Sequence, residues 1–399
     1  MASAGRIVVV GAGVMGAWTA WWLRRRGFAV TVVDQYGPGS SLATSGDETR
    51  VTRSAHGSDE LYPRWQRHAL DHWRLLEEEA HVPLLVPTGV IWFAHRNDGF
   101  EGASLGTLAR LGIPAERLEV AELAFRWPQV AVEGIDWVLY EPEAAVVMAR
   151  QAVVAIADLF ERDGGQLERA RVLTPDETDG AGGRLHRLRF VDGGELAADA
   201  FVLAAGPWLP RLVPGLDQLE LAVTRQELVY FATPPGDVRF DAGAVPTWVD
   251  YEGAFYGVPS IDGRGFKVAP DWPGPIVDPD NEERRLSDER VSAARAFLRR
   301  RFPALADQPV SEGRICQYET TPDTHFIIDR HPGWENAWVV GGGSGHGFKH
   351  GPSIGEYASA LVAGDADAAA ELAPPDDRFS LRARTAGQGM RTSGAPPAS

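Results

Sequence analysis

Ile7-Val8-Val9-Val10-Gly11-Ala12-Gly13-Val14-Met15-Gly16 is the stretch of this chain that predicts its fold. Four β-type residues lead into a turn with the spacing Gly-x-Gly-x-x-Gly, and an apolar run of helical character follows. A second β-type run, Val30-Thr31-Val32-Val33, ends in Asp34, eighteen residues after the last glycine of the turn. This order of strand, glycine turn, helix, strand and acid is the one that binds the adenosine half of a dinucleotide.

Each glycine of the turn has a physical role in this prediction. We expect Gly11 to permit the tight turn, Gly13 to let the backbone approach a pyrophosphate, and Gly16 to let the helix pack closely on its strand. The free N–H groups and the positive end of the helix dipole then meet the phosphates. We expect Asp34 to accept hydrogen bonds from the ribose hydroxyls, and its charge disfavours a 2′-phosphate. The motif by itself fits both FAD and NAD.

Size and charge narrow the class of protein. The chain has 399 residues, enough for two domains with substantial cores, and 44% of them are hydrophobic, as in globular proteins. The formal charge of −16 disfavours nucleic acid and anionic membrane as partners.

Cys316 is the sole cysteine, which excludes a disulfide within the chain and a cysteine-pair metal site, and we expect no metal. Without a run of about 20 apolar residues, we expect no membrane span and a cytoplasmic location.

Periodicity divides the chain into helices and strands. Helical spacing predicts helices over 17–26, 62–79, 143–162, 288–301 and about 353–363. β-type runs predict short strands within 84–140, further strands within 167–198, a buried strand at 200–203, antiparallel strands over 219–270 and a strand at 338–340.

Two of these strands are followed by turns of small residues. The strand at 200–203 leads into Ala204-Ala205-Gly206-Pro207-Trp208, where we expect the backbone to pass close to a ligand. The strand at 338–340 leads into Gly341-Gly342-Gly343-Ser344-Gly345-His346-Gly347 and a helix. Many flavoproteins meet the isoalloxazine carbonyl with such a turn, and the helix dipole stabilises charge on the reduced ring. This second turn favours FAD over NAD.

Strand–turn segments of the kind that binds a dinucleotide therefore stand at the start, the middle and the end of the chain. We predict an α/β fold with a discontinuous Rossmann-type FAD-binding domain formed by 1–83, 143–218 and 319–385. An interleaved substrate domain of α+β type, with an antiparallel sheet, is predicted from 84–142 and 219–318. Residues 386–399 are expected to form a disordered tail.

Separated segments give the chain a family likeness. Residues 316–329 read Cys-Gln-Tyr-Glu-Thr-Thr-Pro-Asp-Thr-His-Phe-Ile-Ile-Asp, and residues 343–349 read Gly-Ser-Gly-His-Gly-Phe-Lys. They closely resemble the monomeric sarcosine oxidase and N-methyltryptophan oxidase family, FAD-dependent amine oxidoreductases of the D-amino-acid oxidase superfamily. Residues 46–53 are similar to that family's loop after the second strand, and residues 256–260 with 265–267 resemble its segment over the flavin. The match keeps a consistent order from residue 5 to about 365.

The resemblance implies covalent FAD. Family members hold FAD through a thioether between a cysteine and the flavin 8α-methyl, and Cys316 stands at the place of that cysteine. A thiolate beside the benzenoid edge of an oxidised flavin is able to attack the electron-poor methyl carbon. The alternative is a thiol packed in the core.

The resemblance also implies an oxidase. Family members activate O₂ with a lysine over the flavin, and Lys267 occupies that position. Electron transfer to O₂ creates superoxide, which a fixed cation in a shielded site stabilises. An enzyme of this kind releases H₂O₂. The alternative is an ordinary surface lysine at the end of a strand.

Four side chains match the family's substrate site. Arg53 and Lys349 match the pair that grips the substrate carboxylate, one as a bidentate fork and the other as a point charge. A loop salt bridge for Arg53 and a cation at the pocket rim for Lys349 are the alternatives. Tyr256 and Tyr318 match aromatic residues that line the site, and each is also compatible with a core position.

Several residues of these segments are expected at the cofactor. We expect Arg50 to face the flavin ring, Ser45 and Thr49 to bond the pyrophosphate, and His346 to position the flavin. The full set predicted to bind FAD is Gly11, Gly13, Val14, Met15, Gly16, Asp34, Ser45, Thr49, Arg50, Ala205, Gly206, Trp208, Cys316, Gly343, Gly345, His346, Gly347, Phe348 and Lys349.

The chain departs from the family at two places near the reactive chamber. Many relatives carry histidine where Ser45 stands, and they have another histidine where Asp271 stands, four residues after Lys267. Replacing a cation with an acid changes the charge of the pocket, so we expect a substrate other than sarcosine. Of the thirteen tryptophans, those at 208, 248 and 272 either line a roomier aromatic pocket or pack in the core.

The predicted reaction is oxidation of the C–N bond of a secondary or N-methyl amino acid to an imine, with O₂ reduced to H₂O₂. Its partners are an amine substrate with a carboxylate and O₂, and a monomer is expected. One alternative is a flavin oxidase of specialised metabolism that acts on a cyclic imino acid, a modified amino acid or a sugar–amine adduct. Another is a non-catalytic dinucleotide-binding protein.

Overall fold

The computed structural model describes residues 5–176, 178–216, 219–382 and 384. The tail predicted at 386–399 lies outside these residues. Within them, no helix combines the length and the apolar character that crossing a bilayer requires. The α/β class predicted from the sequence is confirmed, with helices packed on a mostly parallel sheet and a second, mostly antiparallel sheet.

The strands and helices follow one another in mixed order. The strands are β1 (Arg6–Val10), β2 (Ala29–Asp34), β3 (Thr49–Thr52), β4 (Leu85–Val86), β5 (Val90–Ala94), β6 (Glu116–Glu119), β7 (Trp137–Glu141), β8 (Ala145–Met148), β9 (Gln166–Arg169), β10 (Gly180–Ala181), β11 (Arg184–Leu185), β12 (Arg187–Arg189), β13 (Glu195–Ala197), β14 (Ala200–Leu203), β15 (Ala222–Phe231), β16 (Thr247–Asp250), β17 (Phe255–Val258), β18 (Phe266–Pro270), β19 (Val310–Thr320), β20 (Ile327–Arg330) and β21 (Ala337–Gly341). The helices are α1 (Val14–Arg25), α2 (Leu61–Ala80), α3 (Phe100–Leu111), α4 (Val120–Arg126), α5 (Ala149–Arg162), α6 (Leu209–Leu212), α7 (Asp288–Arg301), α8 (Gly351–Ala363) and α9 (Ala366–Leu372).

A six-stranded sheet in the order β20-β21-β14-β1-β2-β9 organises the strand–turn segments. The strands from β21 to β9 are parallel, and β20 is antiparallel to β21. Val10 pairs with both Leu203 and Val33, so the segments that follow these three strands lie at one edge of the sheet. Ligands of open α/β sheets bind at this carboxyl edge. The register thereby brings Asp34 close to the glycine turn after β1 and to the turn of small residues after β14.

A second sheet has eight strands in the order β19-β15-β18-β17-β16-β5-β7-β6. Its pairs are antiparallel except for β5 and β16, which are parallel. The sheet is therefore mostly antiparallel, as predicted, with one parallel pair that the sequence did not indicate. The two strands meet as edges of two separate antiparallel ribbons, so no hairpin sets their relative direction. The predicted domain boundaries stay a prediction.

Helix α1 packs tightly between the central sheet and α8. A Cβ on Gly355 would lie 2.6 Å from the backbone carbon of Trp18, so the two helices approach closely only with glycine there. The ring of Trp18 is buried and meets Trp21 and Trp73 edge to face, at 5.3 Å between centroids in each case. The start of α1 and the start of α8 are thus fixed next to each other.

The segment 143–162 is not one helix, as its periodicity predicted. Residues Ala145–Met148 form β8, which pairs with β3 and β4, and α5 begins at Ala149. All four residues of β8 are buried. A short, continuous apolar run fits a buried strand as well as a helix, so the pattern could not separate the two. The other predicted helices are confirmed, although α1 begins at Val14 and α8 at Gly351, earlier than expected.

Candidate active site

The turn that opens α1 requires glycine at two positions. Gly11 has φ +108°, and a Cβ there would lie 2.3 Å from the carbonyl oxygen of Ala204. A Cβ on Gly16 would lie 1.9 Å from the carbonyl oxygen of Gly11. On Gly13 a Cβ would meet Ser45 Oγ at 3.4 Å and would otherwise point into a cavity that this glycine lines. The turn is therefore a cradle that side chains would fill.

The first part of this cavity runs along the carboxyl ends of β1, β2 and β14. On its wall, the Asp34 carboxylate accepts hydrogen bonds from the N–H groups of Ala12 at 2.8 Å and of Tyr36 and Gly37 at 2.7 Å. Because each carboxylate oxygen has two lone pairs, Asp34 braces the turn and keeps capacity for a ribose hydroxyl. The predicted residues that share this wall are Gly11, Gly13, Ser45, Ala205, Gly206 and Trp208.

Ser45 and Thr49 were predicted at the same pyrophosphate, but the structure separates them. Ser45 Oγ accepts a hydrogen bond from the N–H of Val14, 3.1 Å away, at the start of α1. Thr49 Oγ1 instead lies 3.2 Å from Lys267 Nζ, which donates to it. Ser45 thus lies where the helix dipole would meet phosphate, and Thr49 lies at the other end of the site.

The cavity continues from the nucleotide cradle toward α8. Its second part is lined by Val14, Met15, Ser45, Arg50, Gly206, Tyr318, Glu319, Gly343, Gly345, Gly347 and Phe348. A third part shares Arg50, Tyr318, Gly345 and Phe348 with it and adds Arg53, Tyr256 and Lys349. Most of the predicted cofactor and substrate residues therefore border these three adjoining parts, whereas Gly16, Lys267 and Cys316 are not among their lining residues.

The glycine turn before α8 is held by Glu319 of β19. Gly342 N–H donates to Glu319 Oε2 at 3.0 Å, and Ser344 N–H donates to the Glu319 carbonyl oxygen at 2.9 Å. A Cβ on Gly347 would lie 2.7 Å from the Met15 side chain, so this turn packs directly against the start of α1. Burial raises the pKa of the Glu319 carboxyl to about 8. A neutral acid therefore lines the cavity at neutral pH.

Cys316 lies beside a guanidinium group. Arg50 Nη2 donates to Cys316 Sγ at 3.2 Å, and Sγ is otherwise near the carbonyl oxygen of Thr44, at 3.5 Å. Burial raises the pKa of the Cys316 thiol, while the Arg50 charge opposes the rise. The thiol is thus buried next to Arg50, which lines the second part of the cavity and whose charge stabilises a thiolate.

Lys267 is buried and forms an ion pair with Asp47. Lys267 Nζ lies 2.6 Å from Asp47 Oδ2, with exposed side-chain fractions of 1% and 3%. Arg50 also donates to Asp47. Burial lowers the pKa of Lys267, and the charge of Asp47 opposes that shift. Burial also acts to raise the pKa of Asp47, but the charges of Lys267 and Arg50 outweigh burial and hold the Asp47 pKa well below its usual range. The surface-lysine alternative is therefore wrong for Lys267.

The third part of the cavity is a chamber whose wall carries Arg50 and two further cations, Arg53 and Lys349. Arg53 Nη1 donates to the Ala55 carbonyl oxygen at 2.7 Å, and its guanidinium lies over the Trp92 ring, 5.0 Å from the centroid. Lys349 Nζ donates to the carbonyl oxygen of His346 at 3.0 Å. Both side chains are buried, and their role at a substrate carboxylate stays a prediction. Their charges face a common space.

The chamber also contains the acid that marks the departure from the family. Asp271 lines it together with Tyr256 and Tyr318, and the Tyr318 hydroxyl donates to Asp271 Oδ1 at 3.3 Å. The two tyrosines are therefore at the chamber wall, and their contact with a substrate stays a prediction. Trp248 and Trp272 instead pack in the core of the second sheet, and Trp208 lies in the nucleotide part of the cavity.

A buried histidine cluster backs the two cations. The ring nitrogens of His56, His346 and His350 approach within 4.8 Å of one another, and His346 Nε2 lies 2.9 Å from the carbonyl oxygen of Thr324. Burial and the positive charge of Lys349 lower the pKa values of His56 and His350 well below the usual range. The imidazoles of His56 and His350 are therefore neutral at neutral pH, and the neighbouring cations disfavour a metal ion there.

Sequence reasoning assigned no role to several of these residues. Asp47 stands in the family-like segment 46–53, but its partner Lys267 is 220 positions away, so the sequence carries no sign of the pair. Trp92 and Glu319 likewise reach the cavity only through strand register. Glu319 lies in the quoted segment 316–329, but its neighbours Gln317, Thr320 and Thr321 are polar, so the sequence gives no sign of a buried carboxyl there.

Comparison with known proteins agrees with this geometry. Residues 6–361 match the family model described as FAD dependent oxidoreductase. The monomeric sarcosine oxidase of Bacillus sp. (strain NS-129) is 29% identical over 366 residues, which cover 89% of this chain and 92% of that protein. The N-methyl-L-tryptophan oxidase of Salmonella enteritidis PT4 (strain P125109) is 26% identical, with 90% and 94% covered.

A solved structure shares the architecture as well. The fructosamine oxidase Amadoriase II from Aspergillus fumigatus, in complex with FSA, superposes with a TM-score of 0.76 at 25% identity, covering 96% of this chain and 90% of that one. The family model spans most of the chain, and its cofactor suits the glycine cradle, the acid after β2 and the elongated cavity. This chain belongs to the FAD-dependent oxidoreductase family.

Proposed function

We propose that this protein is an amine oxidase that uses FAD to oxidise the C–N bond of a secondary or N-methyl amino acid to an imine, with reduction of O₂ to H₂O₂. The observation that carries the proposal is the position of Arg53 and Lys349. Both cations line the chamber at the end of the cavity that begins at Asp34. The similar oxidases of Bacillus and Salmonella support the same reaction class.

The two cations give the chamber its preference for a carboxylate. Arg53 offers a planar fork that matches a carboxylate, and Lys349 adds a point charge. Contact with the Trp92 ring and burial restrict the Arg53 side chain, so little conformational entropy is lost when the substrate binds. A carboxylate held between these groups fixes the position of the neighbouring carbon.

Orientation is the main catalytic contribution of the chamber residues. When bound, FAD supplies the two-electron acceptor for the hydride that leaves the carbon next to the amine nitrogen. The substrate amine binds neutral, so that its lone pair assists hydride loss and no general base is needed. Arg53 and Lys349 fix one end of the substrate, while Tyr256 and Tyr318 restrict the space around the reacting carbon.

Lys267 serves the oxygen half of the reaction in this proposal. Its ammonium is buried and donates hydrogen bonds to Asp47 Oδ2 and to the carbonyl oxygen of Thr49. Thr49 and its neighbour Arg50 line the chamber, so the ammonium lies directly behind the chamber wall. A fixed cation in a water-poor site stabilises negative charge that develops on O₂. The Asp47 carboxylate opposes the loss of the ammonium proton on burial.

Cys316 is proposed to tether FAD covalently through a thioether to the flavin 8α-methyl. The Arg50 guanidinium at 3.2 Å from Sγ supports this, because it favours the thiolate form. Acid precipitation tests the tether: the wild-type protein should retain its flavin in the pellet, and Cys316→Ala should release it to the supernatant. Release from the wild type would remove the tether and leave the oxidase proposal intact. A monomeric, cytoplasmic enzyme stays a prediction.

A bulkier amine is the second candidate substrate. The chamber residue Tyr251 also borders a larger open cleft lined by Gly57, Leu61, Phe100 and Arg378, so a long substituent has room to extend from the chamber. Similarity to the fructosamine oxidase supports sugar–amine adducts as one class of such substrates. The products distinguish the two classes, because only oxidation of an N-methyl group releases formaldehyde.

The test is an H₂O₂-coupled screen of secondary amines on the purified yellow enzyme, with formaldehyde measured in parallel. N-methyl amino acids, cyclic imino acids and glycated amino acids form the panel, and decarboxylated analogues serve as controls. We expect turnover with members that carry a carboxylate and little with the analogues. A protein without flavin, or one whose bound flavin is reduced by none of these amines, would support the non-catalytic alternative.

A further inference from the structure

We propose that His68, His72 and Glu356 form a surface site for a divalent transition metal of the Zn²⁺ class, where α2 meets α8. The site is separate from the amine chemistry and does not depend on it. Two histidines four residues apart lie on one face of a helix and thus point to the same side of α2. Glu356 approaches them from the neighbouring helix α8.

The spacing of the three side chains suits one small cation. Their ligand atoms all lie within 4.8 Å of one another, the two imidazole centroids are 4.6 Å apart, and His68 Nε2 is 2.6 Å from Glu356 Oε2. In a tetrahedral site with metal–ligand distances of about 2.1 Å, ligand atoms lie about 3.4 Å apart. Rotation of the side chains alone therefore produces a coordination shell, with water as the fourth ligand.

A hydrogen bond at one ring nitrogen of His72 leaves the other nitrogen for a metal. His72 Nδ1 lies 3.0 Å from the carbonyl oxygen of His68, to which it donates, and this leaves the lone pair on Nε2. The Trp22 ring packs against the same imidazole edge to face, with 5.2 Å between centroids. Metal-binding histidines have their second nitrogen fixed by such a hydrogen bond, which sets the tautomer.

The surrounding charge permits a dication. The nearby cation Arg26, which donates to Ser359 on α8, is paired with Asp365 at 2.6 Å. The chain as a whole carries −16. For His68 Nε2 to bind the metal, the hydrogen that it donates to Glu356 must leave that nitrogen, either for the other ring nitrogen or for the solvent. The buried histidine cluster differs in this respect, since Lys349 lies beside it.

The site connects the two helices that support the active-site turn. Trp73 of α2 donates from Nε1 to the Lys349 carbonyl oxygen at 2.9 Å and stacks on Phe348, with 5.6 Å between centroids. A metal shared by α2 and α8 would fix the helices on either side of these contacts. We therefore expect metal binding to stabilise the folded protein, because an ion that binds only the folded state raises Tm.

The test uses the full-length, flavin-loaded enzyme after chelator treatment and removal of the chelator. Zn²⁺ is titrated by calorimetry, and thermal unfolding is measured with and without the metal. The variants are His72→Gln and Glu356→Gln, and the matched control is His186→Gln, since His186 is exposed and lies in another part of the fold. We expect one equivalent of Zn²⁺ and a higher Tm in the wild type and the control.

Each ligand variant should weaken Zn²⁺ at least about tenfold and remove the metal-dependent rise in Tm, since even second-shell changes cost metal sites 10–100-fold. The variants should keep the metal-free Tm of the wild type. Equal affinity in wild type and His72→Gln would place the metal elsewhere and overturn the proposal. So would the absence of wild-type binding up to about 1 mM Zn²⁺, a binding free energy near −4 kcal/mol.

Discussion

Lys267 and Asp47, 220 positions apart in the chain, form a buried ion pair with 2.6 Å between Nζ and Oδ2. The pair joins the segment before β3, which contains Asp47, to strand β18 of the second sheet, which contains Lys267. Its geometry fixes the position of the Lys267 side chain, and the Asp47 charge opposes the lowering of the Lys267 pKa by burial.

Removing the ammonium should slow flavin reoxidation. Lys267→Met keeps the length of the side chain and removes its charge, so we expect a loss of roughly 10²–10³-fold in the rate with O₂, as for other groups that stabilise developing charge. Stopped-flow mixing of reduced enzyme with O₂ measures this rate, and anaerobic reduction by substrate should change little. Lys267→Arg is the control that keeps the charge. An unchanged O₂ rate in Lys267→Met would remove the oxygen role.

Removing the carboxylate of the pair should shift a pH profile. In Asp47→Asn, burial still lowers the pKa of Lys267 but the opposing charge is lost, so the ammonium deprotonates at lower pH. The rate of reoxidation should then decline from a lower pH than in the wild type as the pH rises. Unpairing a buried charge also costs about 3–5 kcal/mol of folding stability. A profile that keeps its alkaline limit, or moves it upward, would contradict this assignment.

Lys349→Met tests the carboxylate site. Loss of one charge-assisted contact, worth about 1.5–3 kcal/mol, should raise KM for an amino-acid substrate roughly 10–100-fold. An amine without a carboxylate should show no comparable change, which makes it the internal control for folding and flavin content. Steady-state kinetics with the matched pair of substrates measures the difference. Equal losses for both substrates would indicate damage to the flavin site instead.

Glu319→Gln tests the neutral acid beside the glycine turn. Glu319 has a folded-state pKa of about 8, against about 4.3 in an unfolded chain. Between these values the folded state binds the extra proton, so the wild type loses stability as the pH rises toward 8. Glutamine keeps the acceptor for Gly342 N–H without a proton to lose. Thermal scans should show the variant gaining Tm relative to the wild type from pH 5 to pH 8; a constant difference would argue against a protonated Glu319.

The sequence predicted the parts of the site that depend on short spacings. The glycine turn, Asp34 and the turn before α8 each follow a strand, so parallel register alone brings them together. The roles of Arg53, Lys267 and Lys349 came from the family likeness; all three side chains are buried, and Arg53 and Lys349 line the chamber.

What the sequence could not predict depends on pairing between distant segments. Val146 and Val147 lie in a strand because β3 and β4 flank them, and nothing in their own periodicity distinguishes that strand from the first turn of a helix. Thr49 was expected at the pyrophosphate, whereas its hydroxyl contacts Lys267 from a strand more than 200 residues later. Partners of this kind are set by the tertiary fold.

Anaerobic titration of the purified protein with a carboxylate-bearing secondary amine tests the central proposal most directly. We predict a yellow protein whose visible flavin absorption bleaches with substrate and returns on admission of air, with one H₂O₂ formed per flavin reoxidised. A protein that stays colourless after incubation with FAD, or a bound flavin that no such amine reduces, would contradict it.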